Sequence, residues 1–195
     1  MVQTTGGIMK RTKTTKKECV ILTNDPSFTA WGWAAVTPEG RILETGCIKT
    51  ESKSKMLRIR KGDDRVRRTS EICLELLRVI HKYDVDLIVS ELPHGSQNAS
   101  AAVMIGIVIG ILQTIAETET IAIEWYSEVD AKQSVLNKRS AVKKEMIDAI
   151  TKLYKVPWTG VGYRDEAVAD CLAVFHVACE QSSMIRMMER MGEIT

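Results

Sequence analysis

Five acidic residues stand where acids are costly. Asp25 ends the apolar run VILTND, Glu91 ends DLIVSE, and Asp165, Glu166 and Asp170 crowd the first turns of DEAVADCLAVFHVACE. A lone carboxylate buried among apolar side chains is unfavourable unless a charge or a hydrogen-bond donor meets it. In the last segment Glu166 and Asp170 are four apart and share a helix face, while Val168, Leu172, Phe175 and Cys179 form an apolar stripe that holds the helix on its neighbours. Acids at a helix start also favour the helix dipole, so capping accounts for this group taken singly. Three placements at the ends of core elements are a different matter. Like charges converging in a partly dry cleft raise one another's pKa, and a bound divalent cation removes that penalty. No cysteine or histidine cluster accompanies the acids, so the donors are oxygens, which select a hard ion such as Mg2+, with Mn2+ able to substitute. Two such ions about 3.5 to 4 Å apart activate a water and stabilise the leaving oxygen of an in-line phosphodiester displacement. Asp25 is therefore expected to be a metal ligand.

Those acids meet only if the elements that carry them converge. CVILTN, WGWAAV and RILETGCI are short runs that alternate or are rich in β-branched residues, and PEG at 38–40 is a turn, so the chain opens as an antiparallel meander. From a cap at Asp63 or Asp64, the apolar residues Val66, Cys73, Leu76, Leu77 and Ile80 recur at helical spacing up to Tyr83. DLIVSE is a short buried strand. After the LPHGSQN loop, the segment from about Ala99 to Ala116 reads as an apolar helix whose Gly106 and Gly110 permit close approach of another helix. IAIEWY is a fifth strand, and helices follow over SAVKKEMIDAITKLY and DEAVADCLAVFHVACE. The order β-β-β-α-β-α-β-α-α predicts an α/β fold: a mixed five-stranded sheet with helices on both faces, the first and fourth strands parallel and adjacent. In that arrangement Asp25 and Glu91 meet.

A chain of 195 residues with 45% hydrophobic and 27% charged content suits one globular domain, placed at 19–181, preceded by a basic arm at 1–18 and followed by a Met-rich helical tail at 182–195. The arm is polar and lacks the apolar stretch of a secretion signal, so it is expected to be disordered. Five cysteines, odd in number and without CxxC spacing, suit a reducing compartment and argue against a disulfide framework or a zinc site. AAVMIGIVIGILQTIA at 101–116 falls short of the roughly 20 residues needed to span a bilayer, so no membrane is expected and the location is cytoplasmic, in the host cytoplasm if the source is viral. The net charge of +2 conceals a segregation: residues 10–18 and 51–68 together carry +9, which leaves the rest near −7. A basic rim beside an acidic site is one reading of that pattern and two solvated Lys-rich segments the other.

Taken in order along the chain, these segments resemble the RuvC-type Holliday junction resolvases of the ribonuclease H-like nuclease superfamily. NDPSFTAWGWAAV is similar to that family's first-strand Asp-Pro-Gly or Asp-Pro-Ser motif, and TGCIKT to its third-strand Gly-Cys-Ile-Arg-Thr. DLIVSELPHGSQNASAA resembles the strand that ends in the family's catalytic Glu, AKQSVLNKRSAVKKE its Lys-Gln and Ser-Ala-x-Lys stretches, and AVADCLAVFHVA its Ala-x-Ala-Asp-Ala-Leu-Ala. The resemblance implies a ribonuclease H-like fold and a Mg2+-dependent endonuclease acting on Holliday junctions and other branched DNA, leaving 5′-phosphate ends. It implies that Asp25, Glu91 and Asp170 are metal-binding carboxylates and that Lys132 and Lys143 contact junction DNA. The family's fourth acid, three residues before Asp170, is replaced by Ala167; Glu166 is the favoured substitute and Asp165 stays open. With Asn24 before Asp25 this is a divergent member, which suits a viral or mobile-element source.

A four-way junction has two-fold symmetry, so the resemblance also implies a homodimer. The 99–116 helix, too apolar on all sides for a lone surface helix, is the expected interface, with burial inside the monomer as the alternative. Phosphate contacts are expected from Arg58, Arg60, Lys61, Lys132, Lys138, Arg139, Lys143 and Lys144. His94, near Glu91, reads as a solvent-facing loop residue, Trp31 and Trp33 as packing, and Phe28 as a loop aromatic open to stacking on bases. Met184, Met187, Met188 and Met191 read as a pliable helical cover. Two other classes compete. Ala167 suggests a branched-DNA binder that has lost catalysis, and an Asp-bearing strand and hairpin also open the actin-like and sugar-kinase ATPases, whose second domain and glycine-rich phosphate motif this chain does not display.

Overall fold

Strand parity sets which side chains share a face, and here it sorts the molecule into two apolar layers. A computed structural model of the chain describes residues 18–193, so the expected arm lies outside the described residues apart from Glu18. Five strands, β1 (Ile21–Asp25), β2 (Ala30–Val36), β3 (Ile42–Lys49), β4 (Leu87–Glu91) and β5 (Ala122–Tyr126), form one sheet in the order β3-β2-β1-β4-β5. β1 pairs antiparallel with β2 and parallel with β4, and β4 pairs parallel with β5. This is the mixed five-stranded sheet that the sequence predicts, with β1 and β4 parallel and adjacent.

On one face, Leu22, Trp31, Trp33, Ala35 and Ile88 pack under α2 (Lys61–Tyr83) and α3 (Ala99–Glu119), joined by Ile72, Leu76, Val108 and Leu112. On the other, Ile21, Ala34, Val36, Leu87 and Val89 pack against α6 (Gly162–Gln181), which is enclosed on nearly all sides. The predicted stripe on α6 is thus too narrow: Cys171, Val174, Val177 and Ala178 are buried as well as Val168, Leu172 and Phe175, and Cys179 is only half-buried. α5 (Lys143–Leu153) adds Met146 and Ile150 to this layer, and α7 (Ser183–Glu193) packs Ile185 and Met188 into it, with Met187 and Met191 outward.

Three local expectations need correction. α2 starts at Lys61 with Arg60 at its N-cap and no side-chain cap; Asp63 lies in the first turn paired with Arg60, and Asp64 is buried beneath it. Val66 points to solvent, because the buried stripe runs through Asp64, Arg68, Ile72, Leu76 and Val79. Two short helices were not foreseen, α1 (Ser54–Leu57) and α4 (Glu128–Leu136). α3 buries only one side: Val108, Ile111, Leu112 and Ile115 face the sheet, while Ala102, Val103, Gly106 and Gly110 are exposed. Among the described residues α3 is the one helix long and apolar enough to cross a membrane, yet its inner side forms one layer of this core.

Candidate active site

Counting by twos from Ile21 puts Thr23 and Asp25 on the α6 face of β1, and counting from Leu87 puts Val89 and Glu91 on the same face of β4. Because β1 and β4 are parallel neighbours, both strands end at the same edge, and so do their acids. The third acid needs α6 to come close. Asp25 pairs across the sheet with Gly32 of β2, and a Cβ built on Gly32 would lie 2.0 Å from the carbonyl oxygen of Ala167. Only glycine lets the helix backbone lie there. Thr23 fixes the register by donating from Oγ1 to the carbonyl of Cys171, 2.6 Å away. The residue before Cys171 is Asp170.

The result is a cleft of about 370 Å3 lined by Asp25, Glu91, Glu128, Lys132, Ala141, Lys143, Met146 and Asp170. Burial, then the charges of Glu91, Asp170 and Glu128, pushes the Asp25 carboxyl well above its ordinary value. Burial and the nearby Glu128 and Asp170 push Glu91 up to about 7. Asp170 rises to about 6 through burial, which the ammonium of Lys132 partly offsets. The Asp25 carboxylate accepts no hydrogen bond and joins no ion pair among the described residues. No three His, Cys, Asp or Glu side chains of the described residues form a ready-made metal cage; the acids share the lining of one cleft.

The other expected acids lie elsewhere. Asp165 does not enter the cleft: its carboxylate accepts from the backbone N–H groups of Thr159 and Gly160, at 2.9 and 2.8 Å, and from Thr159 Oγ1, and so closes the loop before α6. Glu166 stands at the rim in an ion pair with Lys143. The residue that the sequence did not single out is Glu128, at the first position of α4. Ser127 caps that helix by accepting from the N–H of Asp130, and Lys132 one turn on pairs with Glu128. The signal was present: Ser-x-x-Asp directly after the strand IAIEWY is a capping-box pattern, which puts Glu128 at a strand's carboxyl end like the other acids.

A family model described as Crossover junction endodeoxyribonuclease RuvC matches residues 21–177, which holds the whole sheet and every residue lining the cleft. The chain belongs to the RuvC family. Among its relatives, the RuvC of Halothermothrix orenii is 26% identical over 161 residues, covering 80% of this chain and 88% of that protein. The RuvC of Photorhabdus laumondii is 26% identical over 169 residues, covering 84% and 89%. The solved structure of T. thermophilus RuvC in complex with Holliday junction substrate superposes with a TM-score of 0.65 at 18% identity, covering 83% of this chain and 96% of that one. The yeast mitochondrial Holliday junction resolvase Ydc2 gives 0.60 at 11% identity, covering 90% and 83%. At such identities the superpositions speak for the fold. RuvC family enzymes depend on divalent metal ions.

Of the basic residues expected to meet DNA, this RuvC family member brings Lys132 and Lys143 into the cleft wall. Arg58, Arg60 and Lys61 lie exposed at the α1–α2 corner, Lys138 and Arg139 are exposed between α4 and α5, and Lys144 is exposed in the first turn of α5, with Lys138 paired with Glu145. Phe28 is not available for stacking on bases. It is buried under the guanidinium of Arg68, 4.3 Å from its ring centre, and Arg68 also donates to the Phe28 carbonyl and to Thr50 Oγ1. This buried arginine clamps the loop after Asp25 to the end of β3. Trp31 packs in the core and donates to Asn24, while His94 is exposed.

Proposed function

We propose that the protein is a Mg2+-dependent endonuclease that cuts four-way DNA junctions, with Asp25, Glu91 and Asp170 holding the metal ions. The observation that carries this reading is the gathering of acids from β1, β4 and α6 into one cleft, where burial first and the charges of neighbouring acids second raise their pKa values. The donor set fits a hard divalent ion: carboxylate oxygens, no histidine or cysteine among the lining residues, and a net negative charge that a cation neutralises. When bound, Mg2+ or Mn2+, two ions per site, supplies charge stabilisation to an attacking water and to the departing oxygen of the phosphodiester.

The chain's own residues do the rest. Asp25 and Glu91 sit on adjacent strands and Asp170 inside a buried helix, so the donors are held on rigid elements. Lys132 and Lys143 put positive charge beside the scissile phosphate, and Glu166 orients Lys143 from the rim. Arg58, Arg60, Lys61, Lys138, Arg139 and Lys144 bind flanking phosphates, so affinity falls steeply with salt and depends on DNA shape more than on base identity. Two copies meet through the outer side of α3, where Gly106 and Gly110 allow close helix contact, and the two-fold axis directs the two clefts at opposed strands. Cutting leaves 5′-phosphate ends, and the enzyme works in the cytoplasm.

The test is a panel of four-way, three-way, flap and duplex DNA substrates with Mg2+, Mn2+ or EDTA. The expected result is paired incisions in opposed strands of the four-way junction, abolished by EDTA. Preferential cutting of flaps, cutting in EDTA, or junction binding without any incision would overturn the reading.

A further inference from the structure

The cleft has four acids in its lining and α6 supplies only one of them. Ala167, one turn before Asp170, lies against Gly32 with its own Cβ 3.0 Å from where a glycine Cβ would be, so that side of α6 is closed by the sheet. Asp165 is consumed by the loop before the helix, and Glu166 is held at the rim by Lys143. The fourth lining acid comes from α4: Glu128, whose side chain remains 42% exposed and therefore movable. Beside it the partly buried carboxylate of Asp25 lines the cleft and has no hydrogen-bond or ion-pair partner among the described residues.

We infer that Glu128 supplies the fourth carboxylate of the metal centre, and that Lys132 holds it in the metal-free protein until a cation displaces the ammonium. This rests on the reading of the cleft as a metal centre. Charge supports it: Asp25, Glu91, Glu128 and Asp170 carry four negative charges, the number that two divalent ions balance. Helix geometry supports it too. Ser127 fixes the first turn of α4, so Glu128 stays at the carboxyl end of β5 while its side chain exchanges partners, and Lys132, four residues on, is freed toward the phosphate. Metal entry thereby converts an internal ion pair into a DNA-facing ammonium.

The experiment titrates Mn2+ into the full-length, DNA-free protein, read by calorimetry and by loss of the free Mn2+ electron paramagnetic resonance signal. Wild type is compared with Glu128→Gln, Glu166→Gln, Lys132→Met and Asp25→Asn, each checked by circular dichroism. Glu128→Gln is expected to weaken binding at least about tenfold or to remove one of two sites, an effect larger than that of Glu166→Gln. Lys132→Met is expected to tighten binding several-fold, because the competing ammonium is gone. Wild-type binding by Glu128→Gln, an equal or larger effect of Glu166→Gln, or weaker binding by Lys132→Met overturns the inference while the metal centre stands, provided Asp25→Asn binds poorly. Wild-type binding by Asp25→Asn overturns the metal-centre reading itself.

Discussion

Two groups of sheltered acids lie near the same end of the sheet and behave in opposite ways. Asp64, 2% exposed, accepts from Arg67 at 2.8 Å and from the backbone N–H of Lys53 at 3.2 Å, and these donors hold its carboxyl below the ordinary value. Asp25, Glu91 and Asp170 are pushed up, first by burial and then mainly by other acids. Burial is common to both groups. The difference is the company each keeps: Asp64 has donors that use its charge within the fold, whereas the cleft acids have a charge that Lys132 and Lys143 compensate only in part. Sheltered acids therefore point to function only where no internal donor set explains them, and Asp165, with three donors of its own, falls on the structural side.

That contrast can be broken by exchanging the roles. Asp170→Asn removes one of the mutually repelling charges, so junction cutting is expected to fall by roughly 10^3-fold while the melting temperature in EDTA holds or rises. Asp64→Asn is expected to do the reverse for stability, lowering the melting temperature by about 5 °C or more with or without Mg2+, because Arg67 and the Lys53 N–H lose a charged acceptor. Thermal denaturation of both variants with and without metal checks the pair. If both variants lose stability equally in EDTA, the distinction between the two groups disappears.

The sign of the pH dependence sharpens the same point. Glu91 and Asp170 move from ordinary values of 4.5 and 3.8 to about 7 and about 6, so the folded state keeps protons that the unfolded chain releases. Stability of the metal-free protein then falls as pH rises from about 4 through about 7, and Asp64 contributes with the opposite slope at lower pH. The expected observation is a melting temperature in EDTA about 5 °C lower at pH 8 than at pH 5, a gap that Mg2+ narrows and Asp170→Asn reduces. A melting temperature that rises over that interval would show that the cleft acids are not destabilising one another.

Most of this arrangement was legible in the residues. Short apolar runs ending in Asp25 and Glu91 announced the strands, and the strand order made those two strands parallel neighbours. Asp170 was legible through its place in the first turns of a predicted helix and through the resemblance of AVADCLAV to the family's Ala-x-Ala-Asp-Ala-Leu-Ala, since spacing alone allowed capping equally well. Glu128 had only the Ser-x-x-Asp cap pattern to mark it, since α4 is nine residues long and buries only Ala131, too little apolar repeat to announce a helix. The choice between Asp165 and Glu166 could not be made from spacing, because it turned on hydrogen bonds from Thr159 and Gly160, a loop whose path depends on tertiary packing. Val66 misled for a related reason: the buried stripe of α2 admits Asp64 and Arg68, which periodicity counts as outward residues.

The most direct test of the central claim measures cutting and binding of one four-way junction side by side, in Mg2+, for the wild type and Asp25→Asn. The expected result is loss of cutting by at least about 10^3-fold with junction affinity unchanged or tighter, since a repelling charge near the phosphate has gone. Incision by Asp25→Asn at the wild-type rate would contradict the claim that these gathered carboxylates perform the hydrolysis.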